Sequence, residues 1–531
     1  APAAIAGQGA SSGGPRPTTH ARASPILKSG SSMAAGLRLG LAALPTLCVA
    51  AAWVAQPEQP PVRPQGSLLF AQQGKASAKT RQTLTNYHDL QYVAYLSIGK
   101  QTLTGIVDTG SFEMVVFSKQ CGSCGKAGKY IPNISSSYHM GTLTNRQTYG
   151  SGDAFSKEAT DTVSIASGAQ VNQTFWEVTH AQMPLLLNAE FQAIVGVGPP
   201  ETPAADAWAS VSSTVHMVQR HLANGALPPM ATAKRVKTSA DVAAEMSRSP
   251  PMLGTLRVSA FSVCLGSRPG SDGFLTWNDT SSLEQPSLFT HVPVIGRHTW
   301  TLHLTGVWLA EPLGVTGGQD AAHKGKLQFM EELRPLQTLI GCRGGCGAVV
   351  DSGTSMLMMP ASAIEALSQA VQRTDGDCSN IHELPDLVFD FDGIKVSLPP
   401  DSYVAEVLGE VPAYLEGLAR VRRLRKKRSR CELLVMESSS ETNYGPLWIL
   451  GMPFFRSYYT SFQLGRSSAE RSIHVTPAGE DCIPGSEVPA FAATNAGGVR
   501  SRRCHLRRVD PSKMLISHNA WRASTSSFMM L

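Results

Sequence analysis

The chain has 531 residues, 42% of them hydrophobic and 16% charged, which is too long for one small domain and too apolar for a mainly disordered polymer. Its formal net charge of +6 suggests at face value a nucleic acid or an anionic membrane as partner. That charge is concentrated in three places, however. Residues 420–430 carry eight basic residues and no acid, 499–531 seven basic and one acid, and 1–55 four basic and no acid, leaving 27 basic against 39 acidic residues elsewhere.

In chain order, residues 1–32 are rich in Ala, Gly, Ser and Pro without a hydrophobic period, and are expected to be disordered or a surplus start. Met33, the basic Arg38, an apolar run over 39–55 and a small-residue exit describe a secretory signal peptide, with an uncleaved signal anchor as the alternative. Membrane association is expected only if that segment is retained. Residues 56–83 form a short proline-rich stretch in which Lys75, Lys79 and Arg81 could lie over an acidic site. Three sequons, at Asn133, Asn172 and Asn278, fit a lumenal chain.

From residue 84 to about 480, short β-branched and aromatic runs punctuated by glycine predict strands at 92–98, 102–107, 160–165, 274–277, 300–307 and 386–391. The best helix is 361–373, with Ile364, Leu367 and Val371 on one face behind Pro360. Two stretches, 200–256 and 311–339, read as surface insertions. The expected body is therefore mostly β, with a first lobe over 84–255, a second over 256–480 and a disordered basic tail over 481–531.

An internal echo supports two lobes. An apolar pair followed by Asp-Thr-Gly-Ser occurs at Asp108-Thr109-Gly110-Ser111 and, as Asp-Ser-Gly-Thr, at Asp351-Ser352-Gly353-Thr354. Each is followed at a distance by an apolar pair and glycine, Ile194-Val195-Gly196 and Ile449-Leu450-Gly451, as a duplicated lobe would be. One Asp-x-Gly strand end is a common turn; two matched copies point to paired carboxylates. Two carboxylates about 3 Å apart share one proton, so that one activates a water while the other polarises a carbonyl. No metal or cofactor is needed for that chemistry.

At these residues the chain resembles the pepsin-like aspartic proteases, over roughly 84–478. Asn86-Tyr87-His88-Asp89-Leu90-Gln91-Tyr92 looks like the family's first mature strand, Gln147-Thr148-Tyr149-Gly150-Ser151-Gly152 like the tip of its flap, and 448–459 like its closing segment. The resemblance implies a bilobal fold with a flap over a cleft that takes a protein or peptide substrate. Asp108 and Asp351 would be the dyad, Thr109 and Ser352 the cross-braces beneath it, and Ser111 and Thr354 donors to the outer oxygens. Tyr149, Gly150, Ser151 and Gly152 would close over substrate. It also implies disulfides Cys121–Cys124, Cys342–Cys346 and Cys378–Cys431, which a secretory route favours over a zinc site built from the two close pairs. Cys264 is expected in the core and Cys482 to pair with Cys504.

The pattern departs from the family at Val115, where tryptophan is usual, and at Phe112 and Glu113, where small polar residues are usual. A catalytically inactive peptide-binding protein of the same fold is the rival reading. The run 420–430, a basic insertion spanning 417–430 with its flank, reads as a solvated loop, a processing site at Arg425-Lys426-Lys427-Arg428 or, less in keeping with a lumenal chain, a nucleic-acid-binding or nuclear-targeting segment. The expected state is a monomer, or two chains joined by Cys378–Cys431 if the run is cut.

Overall fold

In a computed structural model, the residues described are 79–165, 170–199, 251–297, 299–311, 337–371, 378–408, 430–485 and 505–515, with four helical positions between 212 and 219. The signal segment, residues 1–32, the 420–429 run and most of both insertions lie outside them. The described chain is mostly β and two-lobed.

In the first lobe, Gln91–Ile98 and Gln101–Asp108 form an antiparallel hairpin in the register Val93↔Ile106 through Ile98↔Gln101. Its two-residue turn, Gly99-Lys100, has φ of 55° and 66°, the doubly positive geometry that matches strand twist. Alternation fails along Tyr92–Ala94 because both faces are covered: Tyr92, Val93 and Ala94 are all buried. Ala193–Gly196 then adds parallel to the Asp108 strand, and Met114–Phe117 adds antiparallel to Ala193–Gly196. The long hairpin of His139–Tyr149 and Gly152–Ile165 pairs Tyr149 with Gly152 across a two-residue tip.

The second lobe repeats this arrangement. Cys346–Val350 pairs in parallel with Gly445–Leu450, in the register Val350↔Leu450, and Leu357–Met359 meets Gly445–Leu450 antiparallel at Met358↔Ile449. A second sheet packs Gln337–Gly341, Gly306–Ala310, Asp386–Phe391 and Ile394–Leu398 side by side, and the helix Ala361–Val371 buries Ala363, Ile364 and Leu367. Between the lobes runs a shared sheet in which Thr80–Tyr87 pairs with Gly273–Trp277 on one side and with Gln91–Ile98 on the other. Phe261, Phe462 and Trp300 stack there, Phe261 and Phe462 at 4.7 Å between ring centroids. Each such pair contributes roughly 0.5–1.5 kcal/mol beyond area burial.

Four expectations need correction. Lys79 and Arg81 do not reach the aspartates: Lys79 pairs with Asp279 at 2.8 Å, and Arg81 lies 3.6 Å over the Phe274 ring, so the ordered body begins before residue 84. Lys75 lies outside the described residues. Both insertions end in regular structure rather than in surface loop, with Met252 and Leu253 buried in the short helix Met252–Thr255 and Gln337–Gly341 a sheet strand. Cys264 is a buried strand residue as expected, but Cys482 is bonded to it and not to Cys504, which lies outside the described residues. The tail is not wholly disordered, because 505–515 is packed into the fold with Arg507, Val509, Met514 and Leu515 buried.

Candidate active site

Both aspartate loops are built the same way. A buried apolar strand carries each carboxylate to its end, and the parallel partner strand then holds the turn. Val197 N–H donates to Asp108 O at 2.8 Å and Gly198 N–H to Ser111 O at 2.7 Å; in the second lobe Asp351 N–H donates to Leu450 O at 3.0 Å and Met452 N–H to Thr354 O at 2.9 Å. The glycine ending each partner strand is required by space. A Cβ on Gly451 would stand 2.0 Å from Met356 O.

The loops meet back to back. Thr109 Oγ1 donates to Val350 O at 2.8 Å and accepts from Ser352 N–H at 2.8 Å. Ser352 Oγ donates in turn to Val107 O at 2.7 Å and accepts from Thr109 N–H at 3.2 Å. Four crossed bonds between residues 241 to 245 positions apart in sequence thus fix the spacing of the two aspartate loops. All the groups involved are buried, so losing one partner would leave the other unsatisfied at a cost of about 1–3 kcal/mol.

Above the braces, Asp108 and Asp351 are both fully buried, at 0% exposure. Each accepts an amide and a hydroxyl: Gly110 N–H at 2.9 Å and Ser111 Oγ at 2.5 Å for Asp108, Gly353 N–H at 2.8 Å and Thr354 Oγ1 at 2.6 Å for Asp351. The Asp351 carboxyl lies directly against the Asp108 loop at Gly110. Gly110 must be glycine, because a Cβ there would lie 2.6 Å from Asp351 Cγ. Burial, then the charge of Asp351, hold the Asp108 carboxyl well above the usual range, against the opposing pull of the Ser111 hydroxyl. The arrangement can keep one proton between two carboxyls and hold a water against them.

Tyr149, Gly150, Ser151 and Gly152 sit at the hairpin tip and are buried. Burial and the nearby charges of Glu113 and Asp108 push the Tyr149 phenol up. Val115 lies opposite Trp176 in the neighbouring strand, and Trp176 packs against the cluster containing Val115 and Tyr149. Glu113 accepts from Asn145 Nδ2 at 3.2 Å and is further hydrogen-bonded by Trp176 and Gln147, yet burial raises its carboxyl to about 7.

Sequence reading missed Trp300. Its indole Nε1 donates to Val197 O at 3.0 Å while its own backbone carbonyl accepts from Val350 N–H at 3.0 Å, so one fully buried residue links the backbone next to both aspartates. Only its spacing to the partner motif could have suggested this, and that spacing is not periodic. Cys121–Cys124, Cys342–Cys346 and Cys378–Cys431 are closed disulfides, which leaves no thiolates for zinc at the two close pairs. Among the described residues, no group of three or more His, Cys, Asp or Glu could hold a metal ion, and no helix is long and apolar enough to cross a membrane.

A family model described as eukaryotic aspartyl protease matches residues 91–227 and 252–470. Similar proteins include pepsin A of Bos taurus, 27% identical over 403 residues covering 74% of this chain and 86% of that protein. Cathepsin E of Rattus norvegicus is 26% identical over 411 residues, 75% of this chain and 83% of that protein. Pepsin-2B of Gadus morhua is 26% identical over 394 residues, 72% and 96% respectively. With the duplicated aspartate loops, the braces beneath them and the hairpin beside them, this chain belongs to the eukaryotic aspartyl protease family and is an aspartic endopeptidase.

Proposed function

We propose that Asp108 and Asp351 together hydrolyse peptide bonds of protein substrates in acid, by activating a water between them. The observation that carries this reading is the set of four crossed bonds by which Thr109 and Ser352 hold the two loops of the buried aspartates against each other. With one proton on the pair, the ionised carboxyl takes a proton from the water as it attacks the carbonyl carbon, and the protonated one donates to the carbonyl oxygen. The tetrahedral intermediate then collapses as a proton passes to the leaving amine. Gly110 and Gly353 amides and the Ser111 and Thr354 hydroxyls stabilise the ionised form, which favours a working range below neutrality. Tyr149 and the tip Gly150-Ser151-Gly152 close over the bound peptide.

Four disulfides support passage through an oxidising secretory compartment, ending outside the cell or in an acidic organelle. Asn133 and Asn172 are exposed and are the sequons open to glycosylation. Asn278 is only 8% exposed and its Oδ1 accepts from Ser259 N–H at 3.0 Å.

The test is cleavage of a denatured protein between pH 2.5 and 8. A rate maximum below neutrality, block by a statine-containing peptide, and a loss of at least about 10³-fold in Asp108→Asn and in Asp351→Asn are expected. Full activity in either variant would overturn the assignment, and peptide binding without cleavage at any pH would instead select the inactive, peptide-binding reading.

A further inference from the structure

The segment 505–515 lies beyond the residues matched to the family, which end at 470, and it is held in the fold at two points. Its upstream end is clamped to the second lobe. Arg508–Val509 pairs in parallel with Val404–Val407, and Glu406 N–H and Leu408 N–H donate to Arg507 O at 2.9 Å and to Val509 O at 2.8 Å. The Arg507 side chain, 4% exposed, donates to Ser267 O at 2.5 Å and stands 3.6 Å from Asp89.

Its downstream end reaches the second aspartate loop. After the turn Pro511–Lys513, Lys513 O accepts from Gln91 Nε2 at 3.0 Å, and Met514 is extended, with φ −67° and ψ 138°. Leu515 then exchanges two bonds with Ser355: Ser355 N–H donates to Leu515 O at 2.9 Å and Leu515 N–H donates to Ser355 Oγ at 2.8 Å. Ser355 directly follows Thr354, whose hydroxyl donates to Asp351.

The two side chains diverge. Met514 is buried in a cluster with Leu90, Met356, Met358 and Met436, and Leu515 in the cluster of Val115, Tyr149, Leu185 and Leu186 beside the hairpin tip. Leu515 thus bonds through its backbone to the second aspartate loop, next to the extended Met514, and the two successive side chains enter different clusters, which is how a peptide ligand lies in a cleft. A segment serving only to cover a sheet edge would stop at the pairing of Arg508–Val509; six further residues, 510–515, run on to Ser355.

We propose that residues 511–515 are a built-in occupant of the substrate groove, and that the apolar site holding Leu515 is a substrate pocket for a branched aliphatic side chain. The inference rests on the reading of this groove as the substrate site. Substrate must displace the segment, so the apparent affinity is reduced by the fraction of molecules in which the groove is open. Lys79 and Arg81 are engaged elsewhere, and the occupant comes from the other end of the chain.

The test uses the full chain carrying Leu515→Asp, which puts a charge where the structure has an apolar pocket, and a second variant ended after Asp510, which keeps the Arg507 anchor and the pairing of Arg508–Val509. Binding of a fluorescein-labelled statine-containing hexapeptide is followed by anisotropy, alongside KM and kcat for a leucine-containing peptide. Tighter probe binding and lower KM by about tenfold, with kcat unchanged, are expected in both variants, and the synthetic peptide 505–515 should compete with the probe on the shortened chain. Unchanged probe affinity in folded variants would overturn the proposal. So would loss of near-ultraviolet circular dichroism in both without tighter binding, since the segment would then be scaffold. Repeating the binding in an Asp108→Asn background separates the two readings: if affinity rises there while no form cleaves peptide, the catalytic assignment falls and the occupant stands.

Discussion

Glu113 offers a perturbation whose sign and size follow from its surroundings. It sits between the Asp108 loop and Met114–Phe117, where burial raises its carboxyl from 4.5 to about 7 despite hydrogen bonds from Trp176, Gln147 and Asn145. Among the described residues, no charged partner offsets that burial: Tyr149, the ionisable group near it, has its phenol pushed up and stays neutral across this range. Because the folded value lies above the unfolded one, the native state holds a proton between about pH 4.5 and 7 that the unfolded chain has released. Stability therefore falls as pH rises through that window. Below it both states are protonated and the site costs nothing; above it the full cost is present. A shift of 2.5 units at about 1.4 kcal/mol each gives roughly 3 kcal/mol, an upper figure because Glu113 is half-buried and keeps some solvation. Glu113→Gln retains the shape and the acceptor for Asn145 but never ionises. Urea unfolding at pH 4 should give the same stability for wild type and variant, and at pH 8 a variant more stable by up to about 3 kcal/mol. An equal offset at both pH values, or a less stable variant at pH 8, would refute the reasoning.

Two further substitutions probe the frame under the dyad. Thr109→Val keeps the volume but leaves Val350 O and Ser352 N–H without their buried partner, and should cost roughly 2–5 kcal/mol of unfolding free energy; Thr109→Ser should recover most of it, and a stable valine variant would show that the crossed bonds do not hold the loops. Trp300→Phe removes the donor to Val197 O while keeping an aromatic ring against Phe261 and Phe462. It should destabilise by about 1–3 kcal/mol and lower kcat more than it raises KM in steady-state assays, because Trp300 positions the loops without touching substrate.

The parts of the site that repeat were legible, and the parts made by long-range contact were not. Asp-Thr-Gly and Asp-Ser-Gly announce themselves because strand, turn and hydroxyl donor are adjacent in sequence, and the parallel partners Ala193–Gly196 and Gly445–Leu450 repeat the same apolar-apolar-glycine signal. Trp300 gives no such local sign: its role depends on where Val197, 103 positions earlier, ends up. Cys264 and Cys482 are likewise 218 positions apart, and pairing Cys482 with the nearer Cys504 followed proximity in sequence where proximity in space decides.

The segment 505–515 was misread for a different physical reason. Counting charge placed it in a solvated tail, yet Arg507 is buried and its charge is compensated by Asp89 and by two backbone carbonyls. Isolated in sequence, an arginine among arginines looks like surface; its burial becomes affordable only once the fold supplies those acceptors. The apolar run Met514-Leu515-Ile516 was the sign in the sequence, since large apolar residues clustered among polar ones have to be covered by something. What covers Met514 and Leu515 is the groove between the two aspartate-bearing lobes, where Ser355 bonds the same backbone that a substrate would present. A basic stretch read as removable is thus where the opening charge arithmetic and the active-site geometry meet: Arg507 holds the segment so that Leu515 reaches the pocket beside Tyr149.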